Sequence, residues 1–88
     1  MSPELETLDQ LLCGDMPLAV IRELFDDGER FARAVAAMLH AGELRLHLNG
    51  DEAPYWRWPE VLAAARDRIY PADARLDIAE AGVRRIVG

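Results

Sequence analysis

Apolar residues recur at helical spacing through the first 41 residues of the chain. Ser2-Pro3-Glu4 combines a capping oxygen, a first-turn proline and a carboxylate near the positive end of the helix dipole, so a helix is expected to begin there. Gly14 is the expected end of this helix. Its predicted apolar stripe consists of four leucines: Leu5, Leu8, Leu11 and Leu12.

A second helix is predicted to start at Pro17, with Arg22 and Glu23 on its exposed face. Its apolar face contains Leu18, Ile21, Leu24 and Phe25. Asp26-Asp27-Gly28 has the composition of a turn, in which Asp27 caps the next helix and Gly28 permits a close chain reversal. The third helix is predicted over residues 29–41, with a buried stripe of Phe31, Val35, Met38 and Leu39.

The apolar period changes from 3.6 to 2 at Gly42, a residue type suited to the position just after a helix. Over residues 43–48, leucines alternate with Arg45 and His47, as in a strand with one buried face. Asn49-Gly50 indicates a turn. Because proline cannot donate to a strand ladder, we expect the loop to extend to Pro54.

The segment Tyr55-Trp56-Arg57-Trp58 has strand-like composition, and both tryptophans are predicted to cover the leucine face of the preceding strand. A further helix is predicted from Pro59 to Ile69, stopped by Pro71, with a buried stripe of Val61, Leu62, Ala65 and Ile69. Residues 75–78 alternate again and indicate a short third strand. Residues 79–87 suit a final helix or a strand, since Gly82 weakens a helix.

The 88 residues are enough for a single domain, predicted to span residues 1–88. Hydrophobic residues make up 51% and charged residues 30%, which is typical of a globular chain rather than a disordered one. The net charge of −6 predicts repulsion from nucleic acid and anionic membranes unless positive charge gathers on one surface. Residues 1–28 contain seven acids and one arginine, whereas residues 29–50 contain two acids and three arginines.

Compartment and chemistry are only weakly indicated. All ten basic residues are arginine, which we attribute to a GC-rich bacterial coding bias, and the lone Cys13 fits a reducing cytoplasm. No signal peptide or membrane-spanning stretch is expected. With His40 and His47, Cys13 lacks the spacing of a zinc site, so we expect neither metal nor cofactor. The chain has no phosphate loop and no nucleophile–base arrangement, so neither an enzyme nor a small-molecule substrate is indicated.

Two stretches resemble the winged-helix superfamily. Val35, Leu39 and Gly42 leading into Leu44-Arg45-Leu46 resemble the exit of a recognition helix into a strand. Residues 78–82 are similar to the leucine-threonine-x-x-glycine step that follows the wing in many bacterial transcription regulators, with Ala79 in place of the threonine. The resemblance implies a small α+β winged-helix-like domain with three N-terminal helices, a two- or three-stranded antiparallel wing and one or two further C-terminal helices. The returning wing strand is either Tyr55–Trp58, which we favour, or Arg75–Ile78.

Winged-helix domains dock other proteins or read DNA, and two functions therefore stay open. The favoured hypothesis is a non-enzymatic protein-interaction module that binds a protein partner or self-associates through Tyr55, Trp56 and Trp58. These rings equally suit a role as core cover for the sheet.

The alternative hypothesis is a DNA-binding transcriptional regulator that places the helix at residues 29–41 in the major groove. Its candidate contacts are Arg30, Arg33, Ala37 and His40 on that helix, with Arg45 and Arg57 from the wing. Ordinary solvated arginines, some paired with acids such as Glu29, would give the same pattern.

Overall fold

Five helices and a four-stranded antiparallel sheet form the described part of the chain, residues 1–71 and 73–88 of a computed structural model. The helices are α1 (Pro3–Leu11), α2 (Leu18–Arg22), α3 (Gly28–His40), α4 (Trp58–Arg66) and α5 (Glu80–Val87). The strands are β1 (Met16–Pro17), β2 (Leu44–Leu48), β3 (Asp51–Glu52) and β4 (Ala74–Ile78), in the order β1-β4-β2-β3. The predicted α+β class is confirmed, and the strand number exceeds the predicted two or three.

Local signals at the helix ends act as predicted. The Ser2 hydroxyl accepts a hydrogen bond from the Leu5 N–H at 3.2 Å, and the Asp27 carboxylate accepts one from the Glu29 N–H at 2.9 Å. At the other end of α3, Gly42 has a φ of +73°. The following N–H, from Glu43, donates to the Met38 carbonyl at 2.9 Å, which closes the helix before the chain enters β2.

The core lies between the helices and one face of the sheet. Leu44 and Leu46 of β2 and Leu76 of β4 point into it, and Phe31 and Val35 of α3 are fully buried against it. The opposite sheet face is charged, with the Arg45 guanidinium 2.8 Å from the Asp77 carboxylate. Alternation along β2 therefore separates an apolar face from a solvated one, as the sequence predicts.

The predicted loop from Asn49 to Pro54 is wrong, because the chain reverses in two residues. Asn49 and Gly50 have φ values of 53° and 85°, and both left-handed conformations suit a tight hairpin. Leu48 consequently pairs with Asp51 in β3. Pro54 comes after the strand, so its missing N–H interrupts no ladder bond.

The predicted strand over Tyr55–Trp58 is also wrong. A 3-10 helix spans Tyr55–Arg57, and α4 starts at Trp58, with Pro59 in its first turn. The strand that returns along β2 is β4, which pairs with all five residues of β2. Because β4 and β3 take the two sides of β2, no place is left there for a further strand. Of the two tryptophans predicted to cover the leucine face of β2, Trp58 packs against the core and Trp56 is exposed.

Three further predictions, two for α4 and one for α2, are wrong. This helix ends at Arg66 rather than Ile69, since Arg68 adopts a left-handed φ of 61° and the Ile69 N–H bonds back to the Ala64 carbonyl. Ile69 is therefore exposed instead of belonging to the buried stripe. Arg22, predicted on the exposed face of α2, is buried at 4% exposure. The segment left open, residues 79–87, forms the helix α5.

Candidate protein-interaction surface

Four rings form a connected surface beside the start of α4, hereafter the aromatic patch: His40, Tyr55, Trp56 and Trp58. Tyr55 meets Trp56 edge-to-face with ring centroids 5.3 Å apart, and it meets Trp58 at 6.5 Å. Trp58 in turn meets His40 of α3 at 4.9 Å. Edge-to-face contacts of this kind hold the rings in defined positions relative to one another.

The patch is fixed to the sheet through Trp58. Its indole N–H donates to the Ala53 carbonyl at 3.2 Å, and the Ala53 N–H donates to the Leu46 carbonyl at 2.8 Å. Trp58 is half-buried against the core, whereas Tyr55 and Trp56 remain 65% and 68% exposed. The two roles predicted for these residues are thus divided between them, because one ring covers the core and two face solvent.

A shallow groove between α3 and α4 continues the patch. Small side chains, Ala32 and Ala36 from α3 and Ala63 from α4, leave a volume of about 270 Å³. His40 and Trp58 border this groove together with Arg33 and Arg66. The apolar surface therefore extends from the exposed rings into a cleft between two helices.

Arg22 positions α4, and no sequence signal distinguishes it from an exposed helix arginine. Its guanidinium donates to the Arg66 carbonyl from Nε at 3.2 Å and from the second terminal nitrogen at 3.1 Å. It also donates to the Phe25 carbonyl at 3.3 Å and lies over the Phe31 ring, 5.7 Å from its centroid. The positive charge of Arg22 at the carboxyl end of α4 complements the dipole of that helix. Through its contacts with Arg66 and Phe31, the side chain joins α2 to α4 and to α3.

The residues proposed for DNA contact are divided among several elements. Arg30, Arg33, Ala37 and His40 share one exposed side of α3, while Arg45 lies on the outer sheet face and Arg57 on the 3-10 helix. Arg57 pairs with Glu60, and Arg45 pairs with Asp77. These last two guanidiniums are therefore already neutralised by neighbours.

Arg30 is likewise engaged, because it donates two hydrogen bonds to the Glu4 carboxylate at 3.1 and 3.3 Å. This guanidinium lowers the pKa of Glu4 below its ordinary value of 4.5. Glu29, at the start of the same helix, pairs with Arg66 at 2.9 Å. Within residues 1–71 and 73–88, Arg33 is the one exposed arginine without an ion pair, so α3 presents little free positive charge.

Other kinds of site find no support in the described ranges. No three histidine, cysteine, aspartate or glutamate side chains in those ranges come together as a metal-binding group. None of the helices described has both the length and the apolar character needed to cross a bilayer. Comparison with family models, with curated proteins and with solved structures gives no significant match.

Proposed function

We propose that this chain is a non-enzymatic protein-docking module of the bacterial cytoplasm, built on a winged-helix-like scaffold, and that the aromatic patch is its docking surface. The observation that carries the proposal is the pair of rings, Tyr55 and Trp56, held in place yet about two-thirds exposed. Large rigid aromatics of this kind are the residues most often found as anchors in protein interfaces.

The exposed rings offer a useful driving force for association. Each such ring presents about 150–250 Å² when fully exposed, so the two together leave on the order of 200–300 Å² to be covered. At about 25 cal/mol per Å², covering them favours binding by roughly 5–8 kcal/mol before the costs of association. A partner that also fills the groove beside Ala36 and Ala63 adds further apolar contact.

The element order supports the winged-helix-like part of the proposal. The turn between α2 and α3 joins two helices, and α3 leads directly into β2, which pairs with β4. β1, between α1 and α2, adds to the other edge of β4. In this interpretation β3 and α4 are an insertion between the two wing strands, and α4 covers one side of α3 that a DNA reader would leave free.

The test is the native size of the protein in an extract of the cell that makes it. A variant with Tyr55→Ser and Trp56→Ser is compared with a matched variant, Val20→Ser and Ile69→Ser, which removes two other exposed apolar side chains. We expect the wild type and the matched variant to migrate well above 9.9 kDa and the patch variant to migrate as a monomer. The mass of the purified protein then distinguishes self-association from binding to a different partner. Wild type that migrates as a monomer in the extract contradicts the proposal.

DNA binding is the second candidate, favoured by one observation: Arg30, Arg33 and His40 share an exposed side of the helix that precedes β2. A titration with duplex DNA at low and at moderate salt tests it. A regulator would show changes centred on residues 29–40, an affinity that falls steeply with salt, and weakening in Arg30→Ala/Arg33→Ala. Because the acids neutralise nearly all the surface arginines, we expect no saturable binding at low salt.

A further inference from the structure

We propose that the partner presents a basic, arginine-bearing segment to the aromatic patch, an inference that rests on the docking function proposed above. The rings supply π faces, and exposed carboxylates supply negative charge at their border. An arginine side chain matches both, because its planar guanidinium stacks on aromatic rings and binds carboxylates through two parallel hydrogen bonds.

The unpaired acids nearest to the patch in the sequence, within the described residues, belong to β3. Asp51 and Glu52 are exposed, and neither has a cation at ion-pair distance within the described residues. They line one concavity together with Arg57, the residue between the two tryptophans. Trp56 is four residues from Glu52, which limits their separation to about 14 Å of extended chain. A single arginine-bearing segment is long enough to reach both groups.

Internal pairing leaves these carboxylates as the available charge on the β3 side of the patch, while the unpaired Arg33 of the described residues borders the groove between α3 and α4. Arg57, the nearest guanidinium in sequence, is already paired with Glu60. Across the described residues eight of the ten arginines form ion pairs, Arg22 is buried and Arg33 is exposed and unpaired. Carboxylates without partners outnumber these two guanidiniums and account for the net charge of −6. An acidic partner would meet repulsion here, whereas a basic partner gains from the charge of the whole molecule.

The experiment uses three fluorescein-labelled amphipathic peptides that share their leucine and alanine positions and carry arginine, lysine or glutamate at the others. Each is titrated into the full chain, with NMR shifts locating the contact and fluorescence anisotropy giving the dissociation constant. We expect the arginine peptide to bind with shifts centred on Tyr55, Trp56 and Trp58. The lysine peptide should bind about two- to fivefold more weakly, since ammonium groups stack less well on rings.

Two matched double variants separate local from general attraction. One variant removes two charges beside the patch, Asp51→Asn/Glu52→Gln. The other removes two charges away from the patch, Asp9→Asn/Asp26→Asn, and all four acids are exposed and outside ion pairs. We expect the first to weaken arginine-peptide binding about three- to tenfold and the second less than twofold. Trp56→Ala should weaken binding about tenfold or more. Circular dichroism checks that each variant folds.

The remaining outcomes overturn the inference. Equal effects of the two double variants would mean diffuse attraction to an acidic protein, and absence of arginine-peptide binding would exclude the basic partner. Binding of the glutamate peptide at the patch with equal affinity would keep the docking function and exclude a basic occupant. The native size of the protein in a cell extract is measured without any of the three peptides, so failure of docking itself is recognised separately.

Discussion

Replacing Arg22 by alanine tests how α4, and with it the aromatic patch, is held in place. The native side chain is 4% exposed, and its guanidinium donates three hydrogen bonds to two carbonyl oxygens, those of Arg66 and Phe25. The variant removes every donor of that guanidinium at once. It also removes the aliphatic stem of this buried side chain.

The magnitude follows from opposing contributions. A buried carbonyl that loses its donor costs about 1–3 kcal/mol, which gives an upper bound of roughly 6 kcal/mol for Phe25 and Arg66 together. The Phe25 carbonyl is buried and that of Arg66 partly buried, so water replaces part of the loss at Arg66. Part of this is offset, because the folded variant no longer carries a desolvated charge. We therefore expect Arg22→Ala to lower the free energy of unfolding by about 2–4 kcal/mol. A domain of this length has a total of only about 4–13 kcal/mol, so the loss is large.

Urea unfolding followed by circular dichroism at pH 7 measures the effect, and thermal melting should show a midpoint lowered by at least about 8 °C. Arg84→Ala is the control, since its guanidinium forms an exposed pair with Glu80 one helical turn away and its loss should leave the midpoint close to wild type. Arg22→Lys keeps the charge but not the planar donors, so its free energy of unfolding should lie between those of Arg22→Ala and Arg84→Ala. A loss below about 1 kcal/mol for Arg22→Ala would refute a positioning role for the guanidinium.

Two further outcomes concern α5 and the surface ion pairs. Gly82→Ala should lower the free energy of unfolding by about 1–3 kcal/mol, because the new Cβ would lie 2.3 Å from the Glu43 carbonyl oxygen. This clash outweighs the better helix propensity of alanine. An unchanged or raised melting midpoint would contradict the expectation. Arginine partners hold the pKa values of three carboxyl groups below their ordinary values of 4.5 or 3.8. The free energy of unfolding should therefore be constant above about pH 5 and fall as the pH drops through these lowered folded-state pKa values. A urea midpoint that rises on acidification would contradict this direction. The carboxyl groups concerned are Glu4, Asp15 and Glu23.

The first half of the fold is largely predictable because its signals are local. Ser2 and Asp27 cap helices through side-chain oxygens a few residues from their donors, and Gly42 supplies the left-handed conformation that ends α3. The change of period after Gly42 likewise depends only on adjacent residues. Arg22 and β1 are the exceptions, since the burial of Arg22 depends on a carbonyl 44 residues away and β1 forms by pairing with the distant β4.

The second half is less predictable because strand pairing there depends on distant residues. Composition alone favours Tyr55–Trp58 as the returning strand, yet β4 takes that place and pairs with the whole of β2. Trp58 illustrates the reason, since it leaves strand geometry to donate its indole N–H to the Ala53 carbonyl and to pack beside His40. Residue type therefore predicts the candidate site, whereas its shape, one anchored ring and two exposed ones, depends on these long-range contacts.

Site-specific photo-cross-linking in the native cell tests the docking surface most directly. A benzophenone amino acid is placed at position 56, on the aromatic patch, or at position 69, where Ile69 has nearly the same exposure, 64% against 68%. We predict one discrete cross-linked product from position 56 and none from position 69. No product from position 56, or the same products from both positions, would contradict the assignment of the patch as a docking surface.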